Sequence, residues 1–275
     1  MADSVFRHAE EDPTFVPFKR PSNGGWVDVT AAEFAKQVSA VAKGLIASGV
    51  ELGDRVAILS ATRYEWVVLD YAIWTAGGCT VAIYETSSPD QAQWILEDSA
   101  TTLLVVETAK HAETHKEVTD GAEALREVLV IESGAIDELS SRGSAITDEE
   151  LHTRRHQVTA ASPATLIYTS GTTGRPKGVQ LTHSNFYAES NACRLAMPES
   201  MVPGQEDADV PAARPRIRAS DLLRRFRRQG HRRPHVGSDD APRAVRRFQA
   251  QLHPLGTARV REGVQLGSPE GSRRR

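Results

Sequence analysis

The sequence predicts an α/β fold, a parallel sheet built from βαβ units and covered on both faces. Short apolar runs at Arg55–Leu59, Thr80–Tyr84, Leu103–Val106 and Val128–Ile131 have the length and continuous hydrophobicity of strands buried on both sides. Stretches with helical apolar spacing separate them, which is the alternation that parallel crossovers require. A further apolar run, Leu166–Tyr168, opens directly into a segment dense in glycine and hydroxyl residues.

Taken in order, Pro21-Ser22-Asn23-Gly24-Gly25 sets turn residues between two short extended runs that end at Val29, which predicts a hairpin. Thr30 with Glu33 is a capping-box pattern. It opens a helix whose apolar positions Phe34, Val38, Val41, Ala42 and Leu45 recur at helical spacing up to Gly49. Gly53-Asp54 turns the chain into the first parallel strand. The next helix carries Tyr64, Trp66, Val67, Tyr71 and Trp74 and stops at Gly77-Gly78. That stripe is read as core packing, with a pocket-lining wall as the alternative. Ser88 as N-cap and Pro89 as first helical residue start a helix running through Ile95. Ala109 to Arg126 is expected to be helical with a weak point at Gly121. The polar stretch from Ser133 to Gln157 is expected on the surface, with a loop at Ser140-Ser141-Arg142-Gly143-Ser144.

Thr165 to Phe186 reads TLIYTSGTTGRPKGVQLTHSNF. The strand Leu166–Tyr168 leads into Thr169, Ser170, Gly171, Thr172, Thr173 and Gly174, where hydroxyls and unhindered amides can surround a polyphosphate. Lys177 adds a compact positive charge, Gly178–Leu181 returns as a strand, and Ser184 is the expected cap of the helix that follows. The Walker-type loop is excluded by spacing. Pro176 stands where its second glycine belongs, and Gly178 follows the lysine where a metal-holding hydroxyl would be needed. A plain hairpin turn explains the segment less well, because it requires one or two special residues and has no use for a run of hydroxyls.

Tyr168-Thr-Ser-Gly-Thr-Thr-Gly-Arg-Pro-Lys-Gly178 resembles the phosphate-loop signature of the adenylate-forming enzymes, the AMP-binding superfamily of acyl-CoA synthetases, luciferases and peptide-synthetase adenylation domains. Within it, Ile83-Tyr84-Glu85-Thr86-Ser87-Ser88-Pro89 and Thr182-His183-Ser184-Asn185 are similar to the bacterial long-chain fatty acyl-CoA synthetases. The resemblance implies that a fatty acid and ATP form an acyl-adenylate with release of pyrophosphate, and that the acyl group then passes to the thiol of CoA. Mg²⁺ would accompany the ATP. By the same resemblance, Thr169, Ser170, Gly171, Thr172, Thr173, Gly174 and Lys177 bind the nucleotide phosphates, with Lys177 also the catalytic residue that stabilises developing charge. The resemblance extends to about Gln205. No Tyr-Gly-x-Thr-Glu segment for adenine and metal, no Thr-Gly-Asp segment for ribose and no small C-terminal domain follows it. The fold is therefore expected to be an incomplete βαβ subdomain of an adenylate-forming enzyme, and this chain a truncated ligase without activity. The alternative is a non-catalytic nucleotide-binding remnant or module.

Composition divides the chain at the same place. Up to Glu206 there are 16 Lys and Arg against 29 Asp and Glu; residues 207–275 hold 17 Arg, no Lys and 7 acids. The expected organisation is an N-terminal part of the adenylation domain at 1–206 and an arginine- and proline-rich, disordered tail at 207–275. One reading of the tail is a basic arm that binds nucleic acid or an anionic membrane surface, giving peripheral membrane association. The reading that fits better is an out-of-frame translation of GC-rich coding DNA. Shifting the codons of Asp209 to Leu223 forward by one nucleotide permits TFLPLAHVFARLISF, and the same shift at Thr257 to Gly267 permits PRVFEKVYNS. Both resemble segments that follow the phosphate loop, in that order, in long-chain acyl-CoA synthetases. On that reading no specific nucleic-acid partner is expected.

Met1-Ala-Asp-Ser lacks a basic and apolar leader and no apolar run is long enough to cross a bilayer, so a cytoplasmic location is expected. Cys79 and Cys193 are read as small buried hydrophobes. The pairs His111 with His115 and His152 with His156 have i, i+4 spacing but no third ligand in reach, and are placed on exposed faces with no bound zinc.

Overall fold

The chain enters through a helix that the sequence reading did not anticipate. In the computed structural model, which describes residues 2–22, 25–169, 175–196 and 216–217, α1 (Asp3–Glu11) precedes the hairpin β1 (Phe18–Ser22) and β2 (Gly25–Val29). There follow α2 (Ala31–Ala47), β3 (Arg55–Leu59), α3 (Tyr64–Ala76), β4 (Cys79–Ile83), α4 (Pro89–Ser99) and β5 (Thr101–Val106). Two short helices, α5 (Ala109–Thr114) and α6 (Lys116–Gly121), lead to β6 (Glu127–Val130). The helices α7 (Ala135–Arg142) and α8 (Asp148–His156) then lead to β7 (Pro163–Thr169), β8 (Lys177–Thr182) and α9 (His183–Ala196). A two-residue strand, β9 (Arg216–Ile217), pairs antiparallel with Phe18 and Lys19 of β1. All of these lie in one compact unit, Met1–Arg228.

The main sheet has the order β6-β5-β3-β4-β7-β8, with β6 through β7 mutually parallel and β8 antiparallel to β7. Val56–Leu59 of β3 and Leu103–Val106 of β5 are continuously apolar because both faces of the sheet are covered. In β3, Val56 and Ile58 turn into one core with α2 and α3, while Ala57 and Leu59 turn into a second with α4. Helices α2, α4 and α8 start where hydroxyl caps stand. Thr30, Ser88 and Thr147 each close a reciprocal capping box with the residue three positions on. Gly77 ends α3 at φ +87°, a left-handed conformation open to glycine at little cost. Tyr64, Val67, Tyr71 and Trp74 of α3 are all buried, so the aromatic stripe is core.

Several expectations need correction. The stretch from Ser133 to Gln157 is largely exposed, as expected, but the loop expected at Ser140 to Ser144 is helical: Ser140 to Arg142 belong to α7 and Gly143–Ala145 form a 3-10 turn, while Ile136, Leu139 and Leu151 are buried. Three apolar residues on two short helices give too sparse a pattern to stand out in a polar segment. The helix expected over Ala109 to Arg126 breaks between Thr114 and Lys116 and ends at Gly121. His115, placed on an exposed face from its charged neighbours, is 2% exposed, with its ring nitrogens 2.9 and 3.2 Å from the backbone oxygens of His111 and Ser87. Cys79 is buried as expected, whereas Cys193 is half-buried, its thiol 3.5 Å from the Glu189 carboxylate. Most of residues 207–275 lie outside the described residues. At Arg216 and Ile217 the expected disorder gives way to the backbone ladder with β1.

Helix α7 docks so closely on α2 that two glycines are obligatory. A Cβ at Gly44 would overlap the backbone of Leu139, and one at Gly143 would lie 2.5 Å from the Ala40 carbonyl oxygen. Gly44→Ala gains roughly 1 kcal/mol of helix propensity, but overpacking against an immovable backbone costs about 1–3 kcal/mol, and the second effect wins. Urea unfolding should show Gly44→Ala less stable than the parent by roughly 1–2 kcal/mol. A more stable variant would mean that α7 does not rest on α2.

Candidate phosphate site

The site stands at the carboxyl end of the parallel sheet, the end where open α/β folds bind ligands. β7 is held on one side by β4, with Thr80 opposite Thr165, and on the other by β8. The β7/β8 ladder closes with Thr169 opposite Lys177, so these two expected site residues form the base from which the connecting loop rises. Both are exposed at the mouth. Ser170, Gly171, Thr172, Thr173 and Gly174 lie outside the described residues. β8 begins at Lys177, which sets the lysine on the rigid ladder and not within the loop.

Helix α4 grips both arms of this hairpin. The Trp94 indole N–H donates to the Pro176 carbonyl at 2.8 Å, and the Arg175 guanidinium lies over the Trp94 ring, 4.7 Å from its centroid. One turn further along α4, Asp98 accepts a 2.6 Å hydrogen bond from the Tyr168 hydroxyl. Burial, and then the Asp98 carboxylate, push the Tyr168 phenol far above its ordinary range, so it stays a donor. Gly178 crosses the face of the same ring, where a Cβ would come 3.0 Å from Cζ of Tyr168. None of these contacts was read from the sequence, because Trp94 and Asp98 lie 82 and 70 residues from their partners.

At the carboxyl ends of β3 and β5 a second charged group has assembled. Arg63 reaches Glu65 at 2.7 Å, Glu107 at 3.4 Å and Glu132 at 3.5 Å, and Glu107 accepts the Ala61 N–H at 2.9 Å. Its role is to tie the strand ends together. Among the described residues no three of His, Cys, Asp and Glu are grouped to hold a metal ion. In the remaining histidine pair, the His156 Nδ1 lies 2.8 Å from the His152 carbonyl and the rings stack at 3.9 Å.

The segment after the loop corrects one expectation. Thr182, and not Ser184, caps α9: its N–H donates to the Asn185 side chain at 2.8 Å, and its hydroxyl lies 3.4 Å from the Asn185 N–H. His183 is the first residue of the helix and is 4% exposed, edge-on to Trp74 with ring centroids 5.5 Å apart. Among the described residues neither of its ring nitrogens has a hydrogen-bond partner, and the ring lines a cavity of about 250 Å³ with Asp3, Arg155, Thr159 and Ser184.

Comparison with known proteins agrees with this architecture. The AMP-binding enzyme family matches residues 5–211. This chain belongs to that family. It is 48% identical over 208 residues to a long-chain-fatty-acid–CoA ligase of Mycobacterium bovis, an alignment that covers 74% of this chain and 35% of that protein. It is 30% identical over 183 residues to a long-chain-fatty-acid–CoA ligase of Bos taurus, covering 63% of this chain and 25% of that one. The chain thus spans about a third or less of these relatives' length. Among solved structures, the fold matches a fatty acyl CoA synthetase of Mycobacterium tuberculosis with TM-score 0.59 and 24% identity, over 70% of this chain and 36% of that one. It also matches a fatty acyl-adenylate ligase from L. pneumophila, solved with acyl adenylate and pyrophosphate, with TM-score 0.56 and 23% identity over 72% of this chain and 32% of that one.

Burial lowers the His183 pKa from 6.5 to about 4. The unfolded chain therefore takes up this proton first as pH falls. Stability from keeping the ring neutral is complete above about pH 6.5 and drains away towards pH 4. His183→Phe keeps the aromatic contact and removes the titration. Between pH 7 and pH 4 the parent should lose on the order of 2 kcal/mol more stability than the variant. Parallel losses in urea titrations of the two would show that His183 is hydrated and titrates normally.

Proposed function

We propose that this chain is the nucleotide-phosphate-binding part of a long-chain fatty acid–CoA ligase. The observation that carries the reading is Lys177 set on the β7/β8 ladder opposite Thr169, beneath the glycine- and hydroxyl-rich connection. The ligase names of relatives support it. In the reaction, a carboxylate oxygen of the fatty acid attacks the α-phosphorus of ATP and the bond to the bridging oxygen breaks. Pyrophosphate departs with its charge, and the thiolate of CoA then displaces AMP from the acyl carbon. The part of Ser170 to Gly174 is to hold the β- and γ-phosphates through amides and hydroxyls, while Lys177 offsets the charge on the leaving pyrophosphate. Mg²⁺ enters with the nucleotide. A cytoplasmic location with peripheral membrane association belongs to this reading, and no described helix is long and apolar enough to cross a membrane.

Calorimetric titration of the 275-residue chain with MgATP tests the site. Binding should be measurable, and Lys177→Ala should weaken it about tenfold, the loss of one charge-assisted contact. Equal affinities in the two proteins would remove Lys177 from the site.

The domain boundary belongs to the same proposal. The family match ends at residue 211, beside the point where the charge balance inverts and arginine begins to cluster. A one-nucleotide insertion or deletion near the codons for Gln205 to Asp209 accounts for both. Resequencing the gene should reveal an alternative frame open well beyond this point, and restoring it should give fatty-acid-dependent pyrophosphate release. A stop codon soon after Asp209 in that frame would make the arginine-rich tail genuine and return the basic-arm reading to favour.

A further inference from the structure

We propose that Trp94 is a positioning residue that fixes the return arm of the phosphate loop and thereby aims Lys177. The indole N–H is bonded to the carbonyl of Pro176, the peptide unit whose nitrogen belongs to Lys177. That single bond sets the plane from which the lysine's Cα departs. Pro176 restricts the same arm by locking its own φ and offering no N–H to a competing ladder. The Arg175 guanidinium over the ring, 4.7 Å from its centroid, adds a cation–π contact on the residue before. Trp94 itself cannot drift, because α4 is anchored by Ala92, Ile95 and Leu96 in the core beneath the sheet, and Trp94 packs against that core. Asp98, one turn along, holds Tyr168 on the outgoing arm at 2.6 Å. One helix therefore references both arms of the loop to the sheet. Lys177 is the first residue of β8, so the peptide that precedes it helps to set the direction of its side chain. The purpose of the tether rests on the phosphate-site reading above; the tether is measurable without it.

Trp94→Phe keeps an aromatic ring against the core and removes the indole donor, and Arg175→Ala removes the stacked cation from the exposed side. Hydrogen exchange on the nucleotide-free full chain should show the Lys177 and Gly178 amides exchanging roughly fivefold faster in Trp94→Phe, the population change that one net hydrogen bond controls. In Arg175→Ala the same amides should exchange roughly twofold to fivefold faster. Amides of β3 and β5 should be unchanged in both. Unchanged Lys177 and Gly178 amides, or acceleration spread equally over β3 and β5, would overturn the tether and leave Trp94 a packing residue. MgATP titration supplies the second readout. Weaker binding by both variants supports positioning, and parental affinity despite faster exchange overturns it. If the parent chain binds no MgATP, the phosphate-site reading falls, while the exchange result still decides whether the tether exists.

Discussion

The double pairing of β7 governs the rest of the molecule. Parallel to β4 on one side and antiparallel to β8 on the other, it is where the sheet stops being a stack of crossovers and becomes a hairpin. A parallel neighbour would need a crossover of a dozen or more residues, whereas the antiparallel return brings Lys177 directly opposite Thr169 across a short connection. The buried residues of β7 decide which way that connection points. Ala164 and Thr165 are fixed inside, and Tyr168 enters the α4 core, so the exposed Thr169 emerges at the carboxyl edge. The location of the site follows from burial; only its chemistry follows from the loop.

Much of the fold was legible because its central strands are buried on both faces. Val56 to Leu59 and Leu103 to Val106 are apolar without alternation, and no polar position blurs the signal. The capping boxes at Thr30 and Ser88 were legible for a different reason: both partners lie within one turn, so local sequence contains the whole interaction. What escaped depends on distant partners. α1 begins at Ala2 with no side-chain cap, and its contribution to the core is little more than Val5 with Phe6 and Ala9 packed beside it. His115 looks exposed among its charged neighbours, yet it is buried with its ring against the carbonyl of Ser87, 28 residues earlier in the chain.

The candidate site divides in the same way. Its loop is a contiguous run whose glycines, hydroxyls and lysine announce phosphate chemistry residue by residue. Its supports, Trp94 and Asp98, occupy one face of an ordinary amphipathic helix and carry no local mark. The sequence also named the wrong cap for α9, because Ser184 and Thr182 are both hydroxyl residues at plausible positions. Reciprocity decides between them: only Thr182 has Asn185 three residues on to close the box.

Two cations flank Pro176, and their different chemistry explains their different places. Arg175 carries a planar, weakly hydrated guanidinium that can lie flat on an indole, and it does so on Trp94. Lys177 carries a compact, strongly hydrated ammonium with three donors, suited to phosphate oxygens arriving from solvent, and its residue is exposed. Exchanging the two would put an ammonium against the ring, where its hydration is lost for a weak contact, and a broad fork at a mouth formed for a point charge. On the proposed phosphate-site reading, the order Arg-Pro-Lys separates anchoring from binding within three residues. The proline between them presents a carbonyl to Trp94 and keeps the anchor from sliding into the ladder.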